Sequence, residues 1–253
     1  MKKVVIGCLV ACTFGAASSA IAVESPNWTG FYLGVNGGWG WSSIDTTISP
    51  VGTVSKSDFN SQALNQDING ALFGVQLGYN YNFKNHWVIG IEGDFDGASL
   101  NGTEQTSAPS KLNPNGSTDS FKVTDKIDWL TSIRPRVGYQ FGSGLAYVTG
   151  GIAWANINRT SQVNAETAPA VYGANASTDS SSTRSGWALG VGYEWMMAKN
   201  WTVRGEYIHY GFSQTDNDYA TFSKTSVPGQ SNMNVSTGSS NIDVFRVGVN
   251  YKF

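Results

Sequence analysis

Apolar and polar residues alternate one by one over the C-terminal residues 242–253. Phe245, Val247 and Tyr251 fall on one side of this alternation, and Arg246 and Asn250 fall on the other. Because successive side chains of a β-strand point to opposite faces, the pattern predicts a strand with one apolar and one polar face. A strand of a soluble sandwich has the same alternation, so this stretch alone leaves both a sandwich and a membrane barrel open.

The two-residue period recurs in seven earlier stretches, where apolar and aromatic residues alternate with glycine and polar residues. The eight predicted strands cover residues 31–41, 73–81, 87–95, 126–141, 145–156, 187–195, 201–208 and 242–253. Pro135 cannot donate a ladder hydrogen bond, so we expect a bulge or local irregularity there. In the fifth strand a bulge at Gly150 or Gly151 could reverse the faces, but the pattern favours an outward set of Ala146, Val148, Ile152 and Trp154.

The connections between these strands alternate between long and short. Long connections cover residues 42–67, 97–124, 157–184 and 211–240, and short ones cover 83–86, 142–144 and 197–200. Outer-membrane barrels have short periplasmic turns and longer extracellular loops. The sequence therefore predicts an all-β fold, an eight-stranded antiparallel up-and-down transmembrane β-barrel with four long extracellular loops.

Aromatic residues collect at both ends of the predicted strands, as expected for the two interfacial girdles of a barrel. The long-loop ends carry Trp39, Trp41, Phe95, Trp129, Trp154 and Trp187. The short-turn ends carry Trp28, Phe31, Tyr81, Phe83, Trp87, Tyr139, Phe141, Trp195, Trp201, Tyr251 and Phe253.

Charged residues of the strands fall on the face opposite the apolar one. Placing them on the lipid face at mid-depth would cost about 2–4 kcal/mol for each Arg or Lys, so the alternation predicts that they line the lumen. Acids and bases are similar in number, which favours a paired structural plug over a conducting filter in so narrow a barrel. The predicted lumen network comprises Glu92, Asp94, Asp128, Arg134, Arg136, Glu194, Arg204, Glu206 and Arg246.

The N-terminus has the features of a cleaved secretory signal over residues 1–22, followed by one barrel domain over residues 23–253. Lys2 and Lys3 precede an apolar core, and small residues precede Val23. A membrane anchor and a lipoprotein with Cys12 as its lipidated residue are the alternatives. Both cysteines lie inside this segment, and the whole chain has a net charge of −2, which favours neither a disulfide framework nor a nucleic-acid partner.

Several motifs resemble those of the alphaproteobacterial outer-membrane immunogenic proteins, a family of small porin-like barrels. They occupy residues 28–34, 73–79, 186–193 and 247–253. The resemblance implies an outer-membrane location, and members of the family are described variously as envelope-structural proteins, surface antigens, porins or haemin binders. The ending with Val249, Tyr251 and Phe253 resembles the signal read by the barrel-assembly machinery, which is therefore an expected partner beside outer-membrane lipid and lipopolysaccharide.

An enzyme is not predicted, because His86 and His209 lie at opposite ends of the barrel and no catalytic or metal-binding motif stands out. Three functions remain. The first is a closed structural barrel that displays its loops at the surface, and the second is a small porin. The third is haemin binding or adhesion to host surface ligands through the loops, with His209, Tyr207 or Tyr210 as candidate haemin ligands. No cofactor is expected other than haemin in this third alternative, and no metal site is expected.

Overall fold

The computed structural model describes residues 26–51, 62–109, 118–165, 175–212, 218–222, 231–237 and 240–253, so the signal sequence predicted at residues 1–22 lies outside the described part. In these ranges no helix is long and apolar enough to cross a membrane. The strands are β1 Gly30–Val51, β2 Gln62–Asn82, β3 Trp87–Pro109, β4 Thr118–Phe141, β5 Gly144–Ala165, β6 Asn175–Ala198, β7 Trp201–Phe212, β8 Asp218–Phe222, β9 Ser231–Thr237 and β10 Ser240–Lys252.

Eight of these strands, β1 to β7 and β10, form a closed antiparallel barrel. Each pairs with its neighbours along the chain, and β10 closes the ring by pairing with β1 from Tyr32↔Lys252 to Ser43↔Asn241. Short turns join the strands at one end, which the rule for such barrels assigns to the periplasm. His86 and Gly142 enable two of these turns by adopting a left-handed backbone, with φ of 70° and 55°. The predicted fold class is confirmed.

The strands at the opposite end are longer than predicted and continue into the expected loops. The β3–β4 ladder, for example, runs from Trp87↔Tyr139 to Pro109↔Thr118. Strands β8 and β9 continue the β7–β10 ladder. The last pair of that ladder is Phe212↔Ser240, and the first pair of β8 with β9 is Asp218↔Val235. The chain advances six residues on one side, from Phe212 to Asp218, and five on the other, from Val235 to Ser240. The extra strands are thus extensions of the same hairpin, displaced by one residue.

Apolar side chains face outward along the middle of each strand, because the surrounding solvent there is lipid rather than water. The outward set includes Phe31, Phe73 and Val148, which are 60%, 71% and 56% exposed. In β5, Val148 and Ile152 are exposed whereas Tyr147 and Ala153 are buried, so the predicted register of the fifth strand is confirmed.

The bulge or local irregularity expected at Pro135 takes the form of an interruption in the β4–β5 ladder, not of a bulge. In the β3–β4 ladder the register is unchanged across Pro135, which pairs with Ile91. The β4–β5 ladder is interrupted after Ile133↔Ile152 and resumes in the same register at Arg136↔Thr149. Register shifts occur at three other places: Gly97/Leu100 in the β3–β4 ladder, Ile127/Trp129 in the β4–β5 ladder and Met196/Ala198 in the β6–β7 ladder. An outward-facing proline thus fits this strand without a bulge.

Trp28 also differs from its predicted place in the periplasmic girdle. Its side chain is buried inside the barrel, where it packs with Val88, Leu145 and Tyr147. The reason is that Trp28 precedes β1, which begins at Gly30, so the alternation of that strand does not determine its direction. The other rings at this end form contacts such as Phe31 with Tyr79 and Trp201 with Tyr251, at centroid distances of 4.8 and 5.1 Å.

Candidate functional site

The middle of the barrel interior is filled by nine charged side chains, which we call the charged layer. They project from β3, β4, β6, β7 and β10, on the inward positions of each strand, and all are buried. The charged layer consists of Glu92, Asp94, Asp96, Arg134, Arg136, Glu194, Arg204, Glu206 and Arg246.

Glu92 is the centre of the charged layer, because all four arginines contact its carboxylate. Arg134 and Arg246 approach Oε1 at 3.1 and 3.5 Å, while Arg136 approaches Oε2 at 3.6 Å and Arg204 also contacts Oε2. The hydroxyl of Tyr32 donates a further hydrogen bond of 2.6 Å to Oε2. A carboxylate removed from water is thus surrounded by four positive charges and one neutral donor.

The arginines also bind the other acids, so the layer is a connected network rather than a set of pairs. Arg246 donates from Nε to Glu206 Oε2 at 2.8 Å and from Nη1 to Asp96 Oδ2 at 2.9 Å. Arg134 binds Asp94 at 2.9 Å and Glu206 at 3.2 Å. The layer therefore holds five carboxylates against four guanidinium groups, and each guanidinium contacts at least two of the carboxylates.

Arg136 is further held by groups on its periplasmic side. Its guanidinium carbon lies 4.7 Å from the ring centroid of Tyr32 and 5.1 Å from that of Tyr147. Its Nε donates to Asn80 Oδ1 at 2.8 Å, and its Nη1 donates to Glu194 at 3.2 Å. Two cation–π contacts and two hydrogen bonds fix this side chain across the lumen.

Two apolar clusters lie in the interior, one on each side of the charged layer. The periplasmic cluster contains Trp28, Val88, Leu145 and Tyr147, with Met196 packed against it. The outer cluster, on the extracellular side, contains Ile68, Leu72, Leu100, Ile127, Leu130, Ala153, Ala155, Ile157, Ala188, Ile208, Tyr210, Phe212, Ile242 and Val244. The charged layer therefore lies between two clusters of apolar side chains.

The structure brings together eight of the nine side chains predicted for the lumen, but Asp128 lies elsewhere. Asp128 is 36% exposed and forms an ion pair of 2.7 Å with Lys126. The register shift at Ile127/Trp129 reverses the faces of β4, so that Ile127 points inward and Asp128 does not. Asp96 also takes part in the network; the alternation places it on the polar face of the third strand, but the predicted lumen set did not include it. Its signal was its position, two residues after Asp94 on the same face.

The candidate haemin ligands do not converge. Tyr210 is buried in the outer cluster, whereas Tyr207 and His209 face outward and both contact Asp243. Among the described residues, no group of three or more His, Cys, Asp or Glu side chains could hold a metal ion.

At the periplasmic end, Tyr251 and Phe253 of the predicted insertion signal face outward, and Val249 is half-buried. The Phe253 amide donates to the carbonyl of Phe31 at 3.0 Å. The closing ladder therefore extends to the last residue.

The sequence matches the family model described as outer membrane protein beta-barrel domain over residues 7–253. It is 30% identical over 241 residues to the 31 kDa outer-membrane immunogenic protein of Brucella melitensis biotype 1, covering 94% of this chain and 89% of that protein. It is 27% identical to the 22 kDa outer membrane protein of Rhizobium leguminosarum bv. viciae, over 80% of this chain and 72% of that protein. The crystal structure of the outer membrane protein OprG from Pseudomonas aeruginosa aligns with a TM-score of 0.44 and 9% identity, over 90% of this chain and 99% of that one.

Proposed function

Because this chain belongs to the outer membrane protein beta-barrel family and resides in the outer membrane, we propose that it is a closed, non-catalytic envelope barrel that displays its extracellular connections at the cell surface. The observation that carries this proposal is the enclosure of the charged layer between two apolar clusters. The interior then serves stability, and the exposed extracellular end serves interaction.

Closure follows from the energy of moving an ion through such an interior. An ion that crosses the barrel must leave water and pass both apolar clusters, whose few polar atoms, such as Trp28 Nε1 and the Tyr147 hydroxyl, cannot replace its hydration shell. The carboxylates between them are already bound by guanidinium groups, as at Glu92 and Arg134, so they are poor substitutes for the hydration shell. The porin alternative would need both apolar clusters to open.

Surface display is supported by the long extracellular ends of the strands. The β3–β4 ladder continues beyond the outward ring pair Phe95 and Trp129, whose centroids are 6.0 Å apart, as far as Pro109↔Thr118. The polar residues of this extension suit water rather than lipid. The Brucella melitensis relative is named an immunogenic protein, which agrees with connections that reach the cell exterior. At the periplasmic end, β10 is the segment we propose for contact with the barrel-assembly machinery.

Conductance of the purified protein in planar bilayers tests the closed interior. We expect no discrete current steps from barrels whose folding is verified by heat-modified gel mobility. Reproducible steps from the folded protein would contradict the closed interior and favour the porin function.

Surface display is tested separately with epitope insertions in living cells. A tag placed within residues 110–117, between β3 and β4, should bind antibody on intact cells. A tag inserted between Lys84 and Asn85, in a short turn, is the matched control and should be detected only after the outer membrane is permeabilised. Equal labelling of both tags, or labelling of the control alone, would contradict the proposed orientation.

A further inference from the structure

A small polar cluster faces outward near the extracellular end of β7 and β10. Tyr207 donates its hydroxyl to Asp243 Oδ1 at 2.6 Å, and His209 Nδ1 lies 2.7 Å from the same oxygen. The side chains of His209 and Asp243 are 32% and 24% exposed. A carboxylate on the outer surface of a membrane barrel is costly in hydrocarbon, so its depth in the bilayer decides what it can contact.

The depth of Asp243 follows from its distance along the strand. Ten residues separate it from Phe253 at the periplasmic end of β10. At about 3.3 Å per residue and a tilt of about 40°, this corresponds to a height of about 25 Å, which is about the height of the apolar band of such barrels. Asp243 therefore lies where hydrocarbon gives way to the head groups of the outer leaflet.

Two indole rings flank the polar cluster at this level. Trp41 is the direct ladder partner of Asp243 on β1, and the ring of Trp187 on β6 lies 5.4 Å from that of His209. The Trp187 ring lies close over Gly211 on β7, where an added Cβ would come under 3.0 Å from the indole. We call Trp41, Trp187, Tyr207, His209 and Asp243 the rim patch, and it spans four strands, or about 14 Å.

We propose that the rim patch binds the sugar head group of an outer-leaflet glycolipid. Both protein contacts of Asp243 are made by Oδ1, and Oδ2 accepts no hydrogen bond from the described residues. Sugar hydroxyls are donors that this oxygen can accept, and the flanking indoles offer faces for a pyranose ring. A phosphate would instead meet a like charge at Asp243, so the contact is with the sugar. This site is on the outer surface and does not depend on whether the lumen is closed.

Native mass spectrometry of the full-length folded protein, delipidated in detergent and titrated with purified lipid A, tests the proposal. Asp243→Asn should weaken binding about tenfold, because a hydrogen bond to a charged acceptor is replaced by one to a neutral acceptor. Asp128→Asn is the matched control: it removes one exposed carboxylate from β4, which is opposite β10 in the ring. Equal binding by the two variants would overturn the proposal.

A second variant and a second lipid make the result specific. Trp187→Leu keeps an apolar surface toward lipid but removes the ring face, and it should also reduce lipid A binding. Monophosphoryl lipid A keeps the disaccharide and should bind the wild-type protein as tightly as lipid A. A large loss of affinity with the monophosphoryl form would identify a phosphate site instead, and binding that is unaffected by Trp187→Leu would exclude sugar stacking.

Discussion

Glu92 shows how one residue can hold the interior of a barrel together. Burying its carboxylate is unfavourable by itself, and only contacts with all four arginines and with Tyr32 make the charge stable there. The four arginines depend on Glu92 in the same way, because their guanidinium groups are also removed from water. Removing the central charge therefore leaves positive charges that neither solvent nor another residue can fully compensate.

We expect Glu92→Gln to lower the free energy of unfolding by about 3–5 kcal/mol, the usual cost of breaking a buried ion pair. Urea unfolding in lipid vesicles, followed by tryptophan fluorescence, measures this change. Asp128→Asn is the control, because its ion pair with Lys126 is solvent-exposed and should contribute no more than about 1 kcal/mol. If both variants lost the same stability, Glu92 would not be the centre of the network.

Strand pairing makes room for the large interior side chains. Tyr32 on β1 pairs with Gly78 on β2, and Tyr147 on β5 pairs with Gly192 on β6. In each pair the tyrosine ring occupies the space that a side chain on the opposite strand would fill, since a Cβ on either glycine would come under 3.0 Å from the ring. Small residues on one strand thus allow a ring on the next to reach Arg136.

Gly78→Ala should therefore displace the Tyr32 ring and destabilise the barrel by about 1–3 kcal/mol through overpacking. Gly205→Ala is the matched control, because nothing lies within 4 Å of the added Cβ. We expect this control to leave stability unchanged or to raise it by about 0.4–1 kcal/mol, through the lower entropy of the unfolded chain. The same vesicle unfolding measurement compares the two, and an equal loss in both would contradict the steric explanation.

The elements also indicate what the sequence could and could not predict. Two-residue alternation was sufficient for the eight strands and for most inward charges, since lipid and lumen impose opposite preferences on the two faces. It failed at Asp128, because a register shift in β4 cannot be recognised from alternation. The strand extensions were interpreted as loops because, outside the hydrocarbon, both faces of a strand are polar.

The outer apolar cluster was missed for a different reason. Leu72, Ile208 and Val244 occupy inward positions next to outward apolar residues, so their strands are apolar on both faces at this level. A face-by-face comparison of β2, β7 and β10 would have shown that the inward side changes from polar or charged to apolar toward the extracellular end.

At the scale of the whole molecule, the interior contains two apolar clusters with the charged layer between them, and in the proposed function each cluster closes one end. Barriers in series mean that opening one end leaves the other to prevent ion flow. The charged layer would influence ions only after both ends were opened. With five carboxylates and four guanidinium groups, it would then favour cations.

We therefore expect no conduction in planar bilayers when only one cluster is opened. Trp28→Ala opens the periplasmic cluster, and the double variant Leu100→Ala with Leu130→Ala opens the outer cluster. Combining all three substitutions should produce discrete, cation-selective current steps, and the reversal potential in a salt gradient measures that selectivity. Heat-modified gel mobility must first establish that each variant is folded, because every truncation removes buried apolar contacts. Conduction by Trp28→Ala alone would mean that the outer cluster is no barrier, whereas anion selectivity of the combined variant would contradict the charge balance of the layer.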